Sequence, residues 1–150
     1  MSRLRWRHPA LILIVLDIVG LAVASYLSVV ELGGGVPVCG PIKGCEEVAL
    51  SQYSRVAGIP VAVPGVFLSI TLLTLAVLWW RSDDPRLFTA HYVLSLVGVV
   101  FEGYFTYLQV FVIDAICIWC ATYGASLVLR FLVAFVLWWR GAAERRPLPG

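Results

Sequence analysis

The chain has 150 residues, of which 61% are hydrophobic and only 13% are charged. An average soluble domain carries about 25% charged residues, so this composition argues against a soluble globular fold and favours the bilayer as solvent. The formal net charge of +2 is small and gives no reason to propose nucleic acid as a partner. The length fits one domain, and we expect residues 1–150 to form a single integral membrane domain in contact with lipid.

Four apolar stretches are long enough to cross a membrane as helices. They cover about residues 10–30, 61–80, 87–113 and 115–139. A hydrocarbon core of about 30 Å needs about 20 helical residues to span it. Backbone groups in lipid must be paired within their own segment, which makes helix the expected conformation. The sequence therefore predicts an all-α membrane protein, a bundle of four transmembrane helices with a long extracytoplasmic loop at residues 31–60.

Positive charges predict the orientation of these spans. The N-terminal tail, the second connection and the C-terminal tail carry Arg3, Arg5, Arg7, Arg81, Arg86, Arg140, Arg145 and Arg146. With four spans these three segments lie on one side, which the positive-inside rule makes the cytosol. We therefore expect a multi-pass protein of the inner membrane with both termini cytoplasmic and the long loop outside.

The N-terminal segment permits a second interpretation. Its arginines, the apolar run and Ala22-Val23-Ala24 resemble a secretory signal with its cleavage site. Asp17 interrupts the apolar core that such a signal needs, and the apolar run continues past the site to Val30. We therefore favour a retained span; cleavage would leave three spans, with the chain ends on opposite sides.

The four cysteines are the most informative residues, and all fall on the predicted outer side. Cys39 and Cys45 lie in the long loop, and Cys117 and Cys120 form a Cys-Ile-Trp-Cys motif at the start of the fourth span. Disulfides persist outside the cytosol, so this distribution favours thiol–disulfide chemistry. A helix N-terminus stabilises the attacking thiolate, and a mobile loop pair can carry electrons from a soluble partner. A quinone is the natural two-electron acceptor inside the bilayer.

Spacing alone leaves other interpretations open. The two cysteine pairs also suit inert structural disulfides in a non-enzymatic membrane scaffold. A four-thiolate zinc site is disfavoured, because the gap between Cys39 and Cys45 exceeds usual ligand spacing and the loop has no histidine. We therefore expect no metal. His8 and His91 fall on the cytosolic side, where they look like interfacial residues.

The combined motifs resemble bacterial members of the vitamin K epoxide reductase family. The matching features are Cys39-x5-Cys45, Ser51 six residues later, Gly58-Ile59-Pro60 at the start of a span, and Cys117-Ile118-Trp119-Cys120 at the start of the last span. The resemblance runs from about Leu16 to Leu137. It implies a four-helix bundle around a quinone, with the pocket near the outer surface.

The resemblance also implies a role for each cysteine. Cys39 would exchange with a thioredoxin-like or DsbA-like extracytoplasmic protein, Cys45 would relay electrons to Cys117, and Cys120 would face the quinone. The implied activity is that of a membrane thiol:quinone oxidoreductase that supports disulfide bond formation. Its acceptor would be menaquinone, ubiquinone or a related vitamin K-type quinone.

Departures from the family refine these expectations. Many bacterial relatives carry a fused thioredoxin-like domain, whereas this chain stops at Gly150, so we expect a separate redox partner. The start of the second span, Val61-Ala62-Val63, lacks the polar pocket residues of vertebrate relatives, which favours quinone reduction over epoxide reduction. A quinone reductase of the DsbB type would place its Cys-x-x-Cys after the first span, and the motif order here argues against it.

Four further residues are candidates around the pocket. Ser51 matches the family's loop serine, which lies near the redox centre. Phe67 in the second span and Tyr123, one turn past Cys120, are candidate quinone contacts that also suit ordinary packing. Glu102 lies about 10 Å inside the outer end of the third span, counting about 1.5 Å per residue. An ionisable group at that depth is a functional candidate that could protonate a quinone oxygen, or a neutral acid bonded to a neighbouring helix.

Two charges in the cytosolic half, Asp17 and Arg130, are expected to pair. By helical rise Asp17 lies about 10 Å and Arg130 about 14 Å from the cytosolic side. Gly20 and Ala24 share the helix face of Asp17 and permit close helix approach. A charge in hydrocarbon costs roughly 2.5–3.5 kcal/mol on insertion scales, which favours pairing. Alternatively, Arg130 reaches the interface and Asp17 is protonated.

Overall fold

The computed structural model describes residues 2–41 and 44–144, with side chains for residues 8–41 and 44–141. The predicted orientation depends on eight arginines. The described side chains do not include five of them, at positions 3, 5, 7, 145 and 146. The elements are helices α1 (Ser2–Leu32), α2 (Gly44–Leu50), α3 (Ala62–Ser82), α4 (Pro85–Leu108) and α5 (Ile118–Glu144), and strands β1 (Arg55–Val56) and β2 (Ile59–Pro60).

Four helical segments are long and apolar enough to cross a membrane: His8–Leu32, Ala62–Ser82, Pro85–Ile113 and Ile118–Gly141. They confirm the predicted all-α bundle of four membrane helices. The fourth segment begins a few residues later than the apolar pattern indicates. Asp114 adopts a left-handed conformation with φ 56°, which ends the third segment, and helix does not resume until Ile118.

Contacts at one end of the bundle show that the four helices alternate in direction. Leu13, early in α1, belongs to a buried cluster with Trp79, late in α3; Phe88, early in α4, and Leu137, late in α5, pack against it. We call this the terminal end. The opposite loop end therefore carries residues 33–41 and 44–61 and the α4–α5 connection.

The loop between α1 and α3 is more structured than the sequence indicates. Helix α2 ends at Leu50, and β1 and β2 then form a hairpin in which Val56 pairs with Ile59. Its turn residues Ala57 and Gly58 have φ angles of 53° and 83°, a region that glycine adopts without steric cost. The Val61 amide donates to the Ser54 carbonyl oxygen at 2.9 Å, which ties the hairpin to α3.

The predicted ion pair between Asp17 and Arg130 is confirmed. Arg130 Nη1 donates to Asp17 Oδ1 at 3.0 Å, and both side chains are 0% exposed. Arg130 Nη2 also donates to Ser126 Oγ at 2.8 Å. Gly20 makes room for the guanidinium, because a Cβ at this position would overlap Arg130 Nη2. Arg130 is therefore held inside the bundle and does not extend to the interface.

His91 is not the interfacial residue that the sequence predicted. It is 1% exposed, its Nε2 lies 3.1 Å from Asp17 Oδ2, and Ser95 Oγ lies 3.5 Å from its Nδ1. A neutral imidazole that donates from Nε2 and accepts at Nδ1 satisfies both contacts. The prediction used only depth along the helix, whereas burial depends on which face packs inward. His8, by contrast, is exposed.

Candidate redox site

A cavity lies at the loop end, between the bundle helices and the folded loop. Its wall is largely apolar and includes Leu27 of α1, Val61 before α3, and Phe105 and Leu108 of α4. A few polar groups join the wall: Glu31, Ser51, Ser54, Glu102, Gln109 and Tyr123. An apolar wall with a small number of convergent polar groups is typical of a site for a small organic molecule.

The four cysteines meet beside this cavity. Cys39 and Cys45 form a disulfide with a Cα–Cα separation of 6.0 Å, whereas Cys117 and Cys120 are free thiols. The Sγ atoms of Cys39, Cys45 and Cys117 all lie within 4.8 Å of one another. The Cys120 amide donates to Cys117 Sγ at 3.5 Å, and Cys120 lines the cavity. Cys117 is therefore close to both the loop disulfide and the cysteine at the cavity wall.

A close backbone approach brings the loop disulfide to α5. Gly44, the first residue of α2, lies against the backbone of Ile116, and a Cβ at position 44 would overlap that backbone. Only glycine fits this contact without a shift. The next residue, Cys45, is consequently buried at 1% exposure near Cys117.

Two aromatic side chains hold the segment of the loop just before Cys39. Trp119 Nε1 donates to the Val38 carbonyl oxygen at 2.9 Å, and the Val38 amide donates to the Tyr26 hydroxyl at 3.2 Å. The Tyr26 and Trp119 rings lie 4.7 Å apart. The tryptophan of the Cys-Ile-Trp-Cys motif thus anchors the residue before Cys39. The sequence predicted only a mobile loop, because this hydrogen bond joins residues far apart in the chain.

Gln109 supports the start of α5 and was not identified from the sequence. It begins a π-helical turn, Gln109–Ile113, that extends α4. Its buried side-chain oxygen accepts a hydrogen bond from the Cys117 amide at 2.9 Å, and its carbonyl oxygen accepts one from the Ala115 amide at 3.0 Å. Short π-helical turns often occur at functional sites. The sequence signal that could have identified Gln109 is its polar amide side chain within the apolar run of residues 87–113.

The remaining predicted site residues divide into those at the cavity and one outside it. Ser51, Glu102 and Tyr123 line the cavity; Tyr123 also donates from its hydroxyl to the Gly65 carbonyl oxygen at 3.1 Å. Phe67 does not line the cavity, and its side chain is 67% exposed. Gly65 of α3 faces the cavity, and Phe67 lies two residues later, about 200° around the helix.

The three clustered sulfurs also raise the question of a metal. Two of them are joined in the disulfide and are therefore not thiolate ligands in this state. Among the described residues, no fourth cysteine, histidine or carboxylate joins the cluster. Structural zinc sites normally use four protein ligands. The geometry therefore suits disulfide exchange better than metal binding.

The Cys117 thiol lies just before the fourth membrane segment and is poised to react. Hydrogen bonding with the Cys120 side chain lowers its pKa to about 7, although burial acts in the opposite direction. The thiolate is the reactive form in disulfide exchange. A substantial thiolate fraction is therefore expected at Cys117 at neutral pH.

We expect the thiolate of Cys117 to titrate with a midpoint near pH 7 when the loop pair is oxidised. Cys120→Ala should raise that midpoint, because the stabilising hydrogen bond is lost while burial remains. Ultraviolet thiolate absorbance against pH measures both values. Thr122→Ala, which changes an exposed residue of the same helix, should leave the midpoint unchanged. A midpoint insensitive to Cys120→Ala would contradict this assignment.

The fold and the thiol cluster together define a membrane protein built for redox chemistry at one end of a helical bundle. The sequence model of the Vitamin K epoxide reductase family matches residues 11–135. The chain therefore belongs to the vitamin K epoxide reductase family. The match covers all four cysteines and most of each membrane helix, so the family and the geometry both indicate an oxidoreductase of the membrane.

Proposed function

We propose that the protein is a membrane thiol:quinone oxidoreductase that supports disulfide bond formation. Electrons pass from an extracytoplasmic thioredoxin-like protein to the loop cysteines, then to Cys117–Cys120 and finally to a quinone. The observation that carries this proposal is the position of Cys117. Its sulfur lies within 4.8 Å of both loop sulfurs, while its partner Cys120 lines the cavity.

The relay proceeds by successive thiol–disulfide exchanges. A partner dithiol reduces the loop disulfide and becomes a disulfide itself. The Cys45 thiolate then attacks Cys117 of an oxidised Cys117–Cys120 pair, and Cys120 leaves as a thiolate. Cys39 next attacks Cys45, so the loop disulfide re-forms and Cys117 is released. A loop disulfide beside two free thiols, the state seen here, matches the end of this relay.

Different exposures support different roles for the loop cysteines. Cys39 is partly exposed, whereas Cys45 is buried at 1% exposure. A soluble protein can therefore reach the sulfur of Cys39 more easily than that of Cys45. We assign Cys39 to exchange with the partner, which is a separate thioredoxin-like or DsbA-like protein, and Cys45 to exchange with Cys117.

The cavity supports a quinone such as menaquinone, ubiquinone or a related vitamin K-type quinone as electron acceptor. Its apolar wall suits the ring and the start of an isoprenoid tail. Glu102 and Tyr123 bring polar groups to the same wall as Cys120. We assign Glu102 to hydrogen-bond or protonate a quinone oxygen and Ser51 to support the redox centre, with Tyr123 as a further head-group contact.

The variant Cys39→Ser tests this order of electron transfer. It should block electron transfer from the protein partner, because the accessible loop sulfur is gone. A small membrane-permeant dithiol that reduces Cys117–Cys120 directly should still support quinone reduction. Purified protein assayed with both donors gives the comparison, with Gln52→Ala as an exposed loop variant that keeps all cysteines. Full activity of Cys39→Ser with the protein partner would show that the relay is wrong.

We further propose that residues 1–150 form one membrane domain with the loop end outside and the terminal end in the cytosol. A membrane-impermeant thiol reagent added to intact, reduced cells should then label Cys39 most strongly, since Cys45 and Cys117 are buried. Ser82→Cys, at the exposed α3–α4 turn, should react only after the membrane is breached. Labelling of Ser82→Cys but not of Cys39 in intact cells would show that the orientation is the opposite of the one proposed.

A further inference from the structure

A second carboxyl group at the cavity has no role in the relay described above. Glu31 lies in the last turn of α1 and is 9% exposed. Its side chain lines the cavity together with Glu102 and Cys120. Its Oε2 atom is buried and has no hydrogen-bond partner.

A buried carboxyl oxygen without a partner is costly, because it has lost its hydration without gaining a hydrogen bond. An exposed arginine lies close by, yet it does not pair with this carboxyl. Arg55 Nη2 donates to the Glu31 backbone carbonyl oxygen at 2.9 Å, and among the described ion pairs none involves Glu31. Buried polar atoms are rarely left unpaired in native proteins, and a catalytic role is one explanation for those that are.

The two cavity carboxyls come from opposite corners of the bundle. Helices α1 and α4 each pack against α3 and α5 and lie diagonally across from one another. Glu31 on α1 and Glu102 on α4 therefore reach the cavity from opposite sides. The two carbonyl oxygens of a para-quinone also point in opposite directions, so each oxygen of a quinone lying between these helices has a carboxyl on its own side.

The positions of the two groups relative to water also differ. Glu31 is followed at once by the exposed residues 32–36 at the loop end. Glu102 lies in the third membrane segment, seven residues before Gln109 and therefore about 10 Å deeper than Gln109 at about 1.5 Å per residue. Glu31 is thus the carboxyl with the shorter path to water on the loop side.

We propose that Glu31 is a further catalytic residue, which delivers a proton from water at the loop end to one quinone oxygen. This inference rests on the proposed quinone reduction. The Cys117–Cys120 dithiol loses two electrons and two protons as its S–S bond forms, and the quinone gains two of each as both C=O groups become C–OH. Glu31 gives its proton to one oxygen and Glu102 gives its proton to the other. Both carboxylates then regain a proton from water, and water takes up the two protons that the dithiol releases.

Glu31→Gln tests this role, because the amide keeps the size of the side chain and cannot deliver a proton as an acid. Oxidation of the reduced Cys117–Cys120 pair by quinone should slow by at least about 100-fold, the usual contribution of general acid catalysis. Oxidation of the same pair by a small disulfide reagent should be unchanged, because that reaction needs no quinone protonation. Glu46→Gln, which removes an exposed carboxyl of α2, should match the wild type in both reactions.

Three outcomes would overturn the assignment. A wild-type rate of quinone reaction in Glu31→Gln would show that the carboxyl is not used. Equal slowing with quinone and with the disulfide reagent would show that Glu31 only maintains the thiol geometry. Should Glu31→Gln fail to fold, Glu31→Asp retains the acid, and the proposal requires this variant to keep a measurable rate that falls as pH is raised above about 7, where Cys117 is already largely a thiolate. A Glu31→Asp rate that does not fall with pH in that range would contradict it. Absence of quinone reduction by the wild-type protein would instead overturn the proposed function itself.

Discussion

Cys120→Ser should abolish quinone reduction and trap the protein in a disulfide between Cys45 and Cys117. Without Cys120, Cys117 can no longer form its own disulfide. Its thiolate lies within 4.8 Å of the loop sulfurs and can attack Cys45, which releases Cys39 as a free thiolate. Loss of a reacting nucleophile lowers turnover by at least about 1,000-fold in well-studied enzymes. Quinol formation and disulfide mapping by mass spectrometry measure the two effects.

The control for this experiment is Thr122→Ser. It changes an exposed residue of the same helix, two positions after Cys120. It should retain both activity and the wild-type disulfide pattern. Two results would contradict the relay order. One is substantial quinone reduction by Cys120→Ser, and the other is a trapped disulfide that joins Cys117 to Cys39 instead of Cys45.

Arg130→Gln should cause the largest loss of stability among single substitutions of polar residues in the terminal half. The substitution leaves the Asp17 carboxylate inside the bundle, with His91 as its one remaining partner among the described side chains. Removing one member of a buried ion pair typically costs about 3–5 kcal/mol, mainly because the other charge remains unpaired. Reversible unfolding in detergent or bicelles measures the change in the free energy of unfolding.

Asp17→Asn in the same cycle tests whether the two residues act together. The double variant should lose less free energy than the sum of the single losses, because neither charge is then left without the other. Arg140→Gln, at an exposed position of the same helix, should change the free energy of unfolding by less than about 0.5 kcal/mol. Strict additivity of Asp17→Asn and Arg130→Gln would show that the ion pair contributes no coupling.

The sequence was sufficient for the features that depend on local pattern. Long apolar runs predicted the four membrane helices, since a bilayer allows few alternatives to helix. Helical rise and period placed Asp17 and Arg130 at similar depths on faces that could meet, and the structure confirms their pairing. The clustering of the cysteines followed from the predicted topology, because both pairs were expected on the same side.

Features that depend on contacts between distant segments were not predictable in the same way. Burial of His91 and exposure of Phe67 depend on how each helix is rotated within the bundle. Because these helices are apolar on nearly all faces, their hydropathy does not indicate which face packs inward. The Trp119–Val38 hydrogen bond joins residues 81 positions apart. Gln109 reaches Cys117 only because a π-helical turn and a left-handed Asp114 bend the chain between them.

The central claim is that electrons pass from the Cys117–Cys120 thiols to a quinone. The most direct measurement uses purified Cys39→Ser/Cys45→Ser protein with a reduced Cys117–Cys120 pair, mixed anaerobically with one equivalent of menaquinone or ubiquinone. We predict that one quinol forms for each Cys117–Cys120 disulfide, as measured by quinol absorbance and by loss of free thiols. Thiols that stay reduced while the quinone stays oxidised would contradict the claim and favour a membrane scaffold with structural disulfides.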